Sequence, residues 1–307
     1  MRIAAIGRTE ILYETIGRLA KQGHEIALIV TSQEAPEYTK TAEDLKLLAS
    51  RLGARFIKTA KIDMTIDQVK EMPPVDIAVS INYSGIIPQK VIDLFRLGIL
   101  NAHGGDLPRY RGNACQAWAI INGESRVGLC VHSMIGGELD NGNIIARAYI
   151  PIDHTTKVTT LWQWMAEKTP VLFEDAVNKL NENPDFILEV QSKSPEDALR
   201  CYPRVPEDGK IDWKQSNLDV LRLINASNKP YAGAFCDFEE SKLVIWDAEL
   251  IDDDENYLAI PGQITQVGDD YIDVATGDGK IRINEVEYKG TVSRPNMIIK
   301  SIRKRLK

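Results

Sequence analysis

The sequence predicts a doubly wound α/β domain with a mostly parallel sheet, followed by a small C-terminal β-barrel. Over the first two hundred residues, short apolar runs alternate with amphipathic segments, which is typical of strands connected by helices. A polar stretch with three prolines, at 192–208, then precedes several short alternating runs separated by glycine turns. The 307 residues are about twice a typical domain length. We therefore expect two domains, 1–200 and 201–307.

Individual elements follow from the local patterns. Aliphatic and β-branched residues fill the predicted strands RIAAIG, EIALIV, VDIAVSI and LGILNAH, as they do in strands buried on both faces. Helices are predicted at 11–21, 42–52 and 89–97. The runs VGLCVHSMI and NIIARAYIPI predict a hairpin-like pair added to the sheet. A helix is predicted at 159–180, with a break or kink at Pro170.

Composition and charge exclude several classes of protein. Apolar runs are far shorter than the roughly 18 residues of a membrane span, and we expect no membrane partner. The net charge of −7 argues against nucleic acid as the main ligand, and the basic tail KSIRKRLK is interpreted as a solvated helix end. Four scattered cysteines suggest neither disulfides nor a metal site. Without a recognisable signal peptide, we expect a cytoplasmic protein.

Two polar segments carry the candidate chemistry. NAHGGDLPRYRG leaves the carboxyl end of an apolar strand, where ligands of open α/β sheets bind. Asn101 and His103 are two residues apart, so an extended backbone directs both to one face. Asp140 lies in the turn-rich GGELDNGN and becomes interesting if it approaches His103, because a carboxylate orients an imidazole. Gly7 lacks the full GxGxxG pattern, which disfavours a dinucleotide enzyme.

These segments resemble those of a known family. NAHGGDLPRYRG is similar to the NxHxSLLPxxRG signature of formyltetrahydrofolate-dependent formyltransferases, and GGELDNGNII is similar to their GLDxGxII segment. One departure is that Gly105 and Asp106 stand where the family commonly has Ser-Leu. IDWKQSNLDVLRLINASNKPYAGAF and VATGDGKIRI resemble the second domain of that family. The resemblance implies a Rossmann-like catalytic domain and an OB-like C-terminal domain.

The resemblance also implies site residues and a formyl donor, N10-formyltetrahydrofolate, with no metal. The catalytic trio falls on Asn101, His103 and Asp140. The implied folate contacts are Ser84, Gly85, Ile86, Ile87, Ile135, Gly137 and Leu139.

The residue types suit this chemistry. Attack of an amine on the formyl carbon creates an oxyanion, for which Asn101 supplies a hydrogen-bond donor. His103 would take the proton of the amine as general base, and Asp140 would orient and charge-stabilise its ring.

Two acceptors are compatible with the resemblance: the amino group of a nucleotide-linked amino sugar and the methionyl group of initiator tRNA. The stretch QEAPEYTKTAED carries Glu34, Glu37, Glu43 and Asp44 against Lys40, which would repel a phosphate backbone and favours the sugar. A non-catalytic folate or nucleotide binder remains a third interpretation. We expect a structural or dimer-forming role for the C-terminal domain, with its acidic run at 252–256. Candidate contacts for a nucleotide sugar are Arg8, Tyr83, Arg109, Tyr110, Arg111 and Asn113.

Overall fold

The computed structural model describes residues 1–35, 38–252 and 255–307. The described chain forms two compact units. The first contains Met1–Gly112, Gly128–Ile150 and Gln163–Cys201, and the second contains Asn113–Val127, Pro151–Trp162 and Tyr202–Lys307. This division differs from a single boundary after residue 200, because two earlier segments pack with the C-terminal part of the chain. Such long-range packing has no signature in the local sequence pattern.

Helices and strands alternate through the first two hundred residues, as expected. The helices of the chain are α1 (Glu10–Lys21), α2 (Ala42–Leu52), α3 (Ile66–Lys70), α4 (Gln89–Ile92), α5 (Cys115–Ile121), α6 (Val158–Glu182) and α7 (Asn217–Ala226). The strands up to residue 201 are β1 (Arg2–Gly7), β2 (Glu25–Thr31), β3 (Arg55–Lys58), β4 (Ile77–Ile81), β5 (Ile99–His103), β6 (Arg111–Gly112), β7 (Arg126–Ser133), β8 (Ile144–Pro151) and β9 (Arg200–Cys201).

A seven-stranded sheet forms the centre of the first unit, with the strand order β3-β2-β1-β4-β5-β7-β8. The pairs from β3 to β5 are parallel, whereas β5 and β7 pair antiparallel. The expected strand pair after β5 is therefore present as β7 and β8 at one side of the sheet. β5 is the last parallel strand, and the residues at its carboxyl end lie where open sheets of this kind bind ligands.

Apolar layers cover both faces of this sheet. One cluster includes Leu12, Ile16, Leu45 and Phe173, and the other includes Ile6, Val91 and Phe95. Burying apolar surface contributes roughly 25 cal/mol per Å², so these layers supply most of the driving force that fixes the strands. The polar ends of β4 and β5 are thus held on a rigid support.

Helix α2 begins and ends at the expected residues, because both ends carry strong local signals. Thr41 and Asp44 form a capping box at its start, and Gly53 ends it with a φ of 67°. Helix α4 is shorter than expected, since only Gln89–Ile92 are helical before a series of turns. A break or kink was predicted at Pro170, and helix α6 continues through this residue without a break.

The C-terminal strands are β10 (Ala234–Phe238), β11 (Ser241–Leu250), β12 (Ile264–Val267), β13 (Ile272–Ala275), β14 (Lys280–Tyr288) and β15 (Thr291–Ser293). Their ladders are antiparallel, in the order β10-β11-β14-β13-β12 with β15 on β14. The predicted class is confirmed: a mixed α/β domain with a mostly parallel sheet, then a separate antiparallel β domain.

The basic tail does not form the predicted helix end. Lys307 exchanges two backbone hydrogen bonds with Asp237 of β10, and Leu306 is buried in the apolar core of the second unit. Apolar burial and strand-like pairing therefore determine its conformation.

No helix within the described parts of the chain is long and apolar enough to cross a membrane.

Candidate active site

The carboxyl end of β5 brings the predicted catalytic residues together. Asp140 Oδ2 lies 3.5 Å from His103 Nδ1, and the other oxygen, Oδ1, lies 3.5 Å from His132 Nε2. The Asn101 amide nitrogen is 3.5 Å from the same His132 Nε2. The structure thus places all three predicted residues in one cluster and adds a second histidine to it.

His132 is the member of this cluster that the sequence prediction missed. The antiparallel pairing of β5 with β7 sets Asn101 directly opposite His132, so the two side chains are cross-strand neighbours. A signal was present in the sequence, because His132 interrupts the otherwise apolar run VGLCVHSMI and the chain has only four histidines. The strand pairing that places His132 beside Asn101 joins residues far apart in the sequence, so it could not be predicted from the local pattern.

Both imidazoles direct one ring nitrogen to a backbone carbonyl. His103 Nε2 lies 2.6 Å from Tyr110 O, and His132 Nδ1 lies 2.9 Å from Ser133 O. A carbonyl oxygen only accepts hydrogen bonds, so each of these nitrogens carries a proton. The nitrogens that face Asp140 are therefore the ones at which protons can be gained or lost.

The electrostatics favour an ionised carboxylate beside a neutral imidazole. Burial raises the pKa of Asp140, but His103, His132 and the Gly112 amide outweigh this effect and hold that pKa well below its usual value. Burial lowers the pKa of His103, although Asp140 and the Tyr110 carbonyl act in the opposite direction. A neutral imidazole next to an anion is ready to accept a proton and to be stabilised as imidazolium.

Several contacts fix the position of Asp140, whose φ of 46° lies in the left-handed region. The Gly112 amide of β6 donates to Asp140 Oδ2 over 3.0 Å. The buried Gln191 donates to the carbonyl oxygens of Asp140 and Gly142, at 3.0 and 2.6 Å. Arg111 in turn donates to the Gln191 side-chain oxygen. Arg111 therefore braces this loop, and Gln191 is a further supporting residue that the sequence prediction did not identify.

A cavity of about 410 Å³ opens beside this cluster. His132 and Asp140 are among its lining residues, together with several apolar side chains and with the polar Glu138, Asn141 and Arg200. The start of α4 lies close to the loop after β7. The Gly136 backbone amide donates to Gln89 Oε1, and a Cβ at Gly136 would lie 2.5 Å from the backbone nitrogen of Gln89. Predicted folate contacts that line the cavity are Gly85, Ile86, Ile87, Ile135, Gly137 and Leu139.

Ser84, the remaining predicted folate contact, donates to the Ser32 hydroxyl over 2.9 Å. Gly112 and Gln191 hold the loop that carries Asp140.

Among the described residues, no group of three or more His, Cys, Asp or Glu side chains is placed to hold a metal ion.

The residues predicted to contact a nucleotide sugar have varied environments. Arg8 donates to the carbonyl oxygens of Asn82 and Gln33 and so joins three loops. The Arg109 guanidinium lies 5.4 Å from the centre of the Tyr110 ring.

The two tyrosines and Asn113 differ in exposure. Tyr110 is only 3% exposed, so its ring has no accessible face on which the base of a nucleotide could stack, and this residue contributes its carbonyl instead. Tyr83 is half-buried and donates to Thr59 O. Asn113 is exposed and begins the second unit.

The acidic stretch after β2 has local partners. Glu34 lies 3.8 Å from Lys58, Glu43 pairs with Lys46, and Asp44 caps α2. Lys40 lies over the Tyr13 ring. Glu37 lies outside the described residues, as do Asp253 and Asp254 of the C-terminal acidic run.

Comparison with known proteins identifies the family of this chain. The formyl transferase domain matches residues 1–177, and the C-terminal domain of formyl transferases matches residues 204–299. The chain belongs to the formyl transferase family and is a formyl-transferring enzyme.

One relative and two solved structures illustrate the similarity. The methionyl-tRNA formyltransferase of Acetivibrio thermocellus is 30% identical over 94% of this chain and 92% of its own length. The N-formyltransferase of Helicobacter canadensis, solved with folinic acid and dTDP-3-aminofucose, shares 17% identity and a TM-score of 0.68, over 92% of this chain and 98% of that protein. HypX of Aquifex aeolicus, solved with tetrahydrofolic acid, has a TM-score of 0.64 and 18% identity over 98% of this chain. The chain spans about half of HypX, 47% of its length. At this level of sequence identity, both structural similarities show that the folds are alike.

Proposed function

We propose that this enzyme transfers the formyl group of N10-formyltetrahydrofolate to the amino group of a nucleotide-linked amino sugar. The observation that carries the proposal is the cavity beside Asp140, because its lining comes from both segments expected to bind folate. Apolar side chains such as Ile87, Met134 and Ile135 suit the faces of a flat ring system, and the exposed backbone of the loop at 135–140 suits its polar edge.

The cluster supplies the groups that formyl transfer needs. The amine nitrogen attacks the formyl carbon, and the Asn101 amide is the donor available to the oxyanion that forms. His103 Nδ1 accepts the proton that the amine loses, and Asp140 stabilises the resulting imidazolium. The bond from the formyl carbon to N10 then breaks, and N10 takes a proton from the cluster. The products are a formamide and tetrahydrofolate.

The choice of acceptor rests on charge and on structural likeness. A net charge of −7 is unfavourable for a polyanion such as tRNA, whereas it is compatible with a small nucleotide. The N-formyltransferase of Helicobacter canadensis, solved with a nucleotide amino sugar, matches along nearly its whole length. Methionyl-tRNA is the second candidate, because a curated relative of that name is 30% identical over most of the chain. The local pairing of Glu34 and Glu43 also weakens the repulsion expected from the loop after β2.

A panel of acceptors tests the proposal. The protein is incubated with N10-formyltetrahydrofolate and, in separate reactions, with nucleotide-linked amino sugars or initiator methionyl-tRNA, and tetrahydrofolate release is followed. We expect acceptor-dependent release with an amino sugar and none with the tRNA. Release with the tRNA alone would support the second candidate. Folate binding without release across the panel would favour a non-catalytic binder.

A further inference from the structure

The loop that follows His103 approaches the imidazole unusually closely. Gly105 lies beside the hydrogen bond between His103 Nε2 and Tyr110 O. A Cβ at Gly105 would lie 2.6 Å from His103 Nε2 and closer still to Tyr110 O. Real Cβ atoms essentially never approach other atoms this closely, so this hydrogen bond requires glycine at position 105. The family signature quoted above has serine at the corresponding position.

The glycine is held in place from the neighbouring strands. Cys130 Sγ of β7 lies 3.5 Å from Gly105 O. Arg147 of β8 donates to Leu107 O over 2.7 Å and to Asp106 Oδ1 over 3.1 Å. Asp106 is the second position at which this chain departs from the signature, and it is the residue that allows the ion pair with Arg147. Gly105 and Asp106, the two positions that differ from the signature, therefore both support the same conformation of this loop.

We propose that Gly105 is a positioning residue for His103: it leaves room for the hydrogen bond to Tyr110 O, which keeps the proton on Nε2 and leaves Nδ1 as the basic atom facing Asp140. Arg147 anchors the loop in the position that this arrangement needs. The assignment of His103 as the base rests on the proposed function, but the position of its proton does not.

The position of the proton is measurable without substrate. In a ¹⁵N-histidine spectrum of the whole protein, a neutral ring protonated at Nε2 is distinguished from one protonated at Nδ1 by its nitrogen shifts. The chain has four histidines, and the spectrum of His103→Gln identifies the signals of His103 by their loss. We expect the wild-type protein to carry the proton of neutral His103 on Nε2.

The substitution Gly105→Ser introduces the side chain that the structure excludes. We expect it to remove the single Nε2-protonated form and to lower kcat for formyl transfer by about 100-fold, since misplacing a catalytic group by about 1 Å has such an effect. KM for the formyl donor should change little. Gly17→Ser is the matched control, because a Cβ at Gly17 of α1 meets nothing within 4 Å, and it should leave both spectrum and rate unchanged.

The outcomes separate clearly. A proton on Nδ1 in the wild-type protein, or a wild-type spectrum in folded Gly105→Ser, would overturn the proposal. If Gly105→Ser does not fold, Arg147→Met decides, since loss of the anchor should mix the two protonated forms and an unchanged spectrum would overturn the proposal. A wild-type Nε2 proton that is lost in Gly105→Ser, together with no turnover on any acceptor, would support the positioning role and count against the proposed function alone.

Discussion

Asp140 lies between two imidazoles, and each imidazole turns its outer nitrogen to a backbone carbonyl. This arrangement fixes two protons away from the carboxylate and leaves the inner nitrogens for proton exchange. Because Asp140 is ionised, the first proton that enters the cluster is stabilised at once. The three side chains thus form a cluster that can take up a proton and stabilise it.

The rate of transfer should depend on pH through His103. Burial lowers the pKa of this imidazole below its reference value of 6.5, so the neutral, proton-accepting form dominates at pH 7. We therefore expect kcat/KM to be constant near neutrality and to fall as the pH drops through a midpoint below 6.5. A profile of kcat/KM between pH 4.5 and 8 measures this midpoint. An acidic limb centred above pH 7 would contradict the assignment.

His132 should matter even though it is not part of the family trio. Its Nε2 faces both Asn101 and Asp140, and the substitution His132→Gln would remove this imidazole contact from both groups. We expect kcat to fall by up to about 100-fold through misplacement of Asn101 and Asp140. Steady-state kinetics measures the loss, with the exposed His154 as the matched control in His154→Gln. Equal rates for the two variants would show that His132 has no part in the reaction.

At the scale of elements, the loop that carries Asp140 depends on a buried glutamine far along the chain. Gln191 donates to Asp140 O and Gly142 O, and two backbone carbonyls lose their donor in Gln191→Leu. Leaving a buried polar group unpaired costs about 1–3 kcal/mol, and we expect the free energy of unfolding to fall by that amount. Urea unfolding measures it, with Gln266→Leu on the exposed surface of β12 as control. A loss no larger than in the control would exclude the bracing role.

The sequence predicted elements well where local signals are strong. The bounds of α2 follow from the cap at Thr41 and the glycine at its end, and those of β1 follow from an uninterrupted apolar run. Strands β6 and β9 were not predicted from the sequence. Each contains only two residues and is defined by its pairing with the other. For the same reason, Gln191 was not recognisable as a support for Asp140.

The candidate site shows the same limit. Asn101, His103 and Asp140 were predicted because two sequence segments resemble those of a known family, in which these segments meet in the folded protein. His132 required the pairing of β5 with β7, and the role of Tyr110 required the path of the loop after β5. Roles that depend on strand pairing or on the path of a loop were therefore missed, whereas residues inside the two family segments were predicted.

Three features of the whole molecule bear on the reaction. A mostly parallel sheet presents the carboxyl end of β5, a cavity of about 410 Å³ lies beside it, and the chain belongs to the formyl transferases. The net charge of −7 favours a small acceptor over a nucleic acid. These features support the proposed reaction, in which the formyl donor and a small acceptor would meet at Asp140.

The most direct measurement is the rate of formyl transfer by Asp140→Asn, compared with that of the wild-type protein on the acceptor that the panel identifies. Asparagine keeps the shape of the side chain but removes the charge that stabilises the imidazolium of His103. We predict a loss of about 10²–10⁴-fold in kcat, with the protein still folded and still binding the formyl donor. Transfer at the wild-type rate by the folded variant would show that the charge of Asp140 has no part in the reaction.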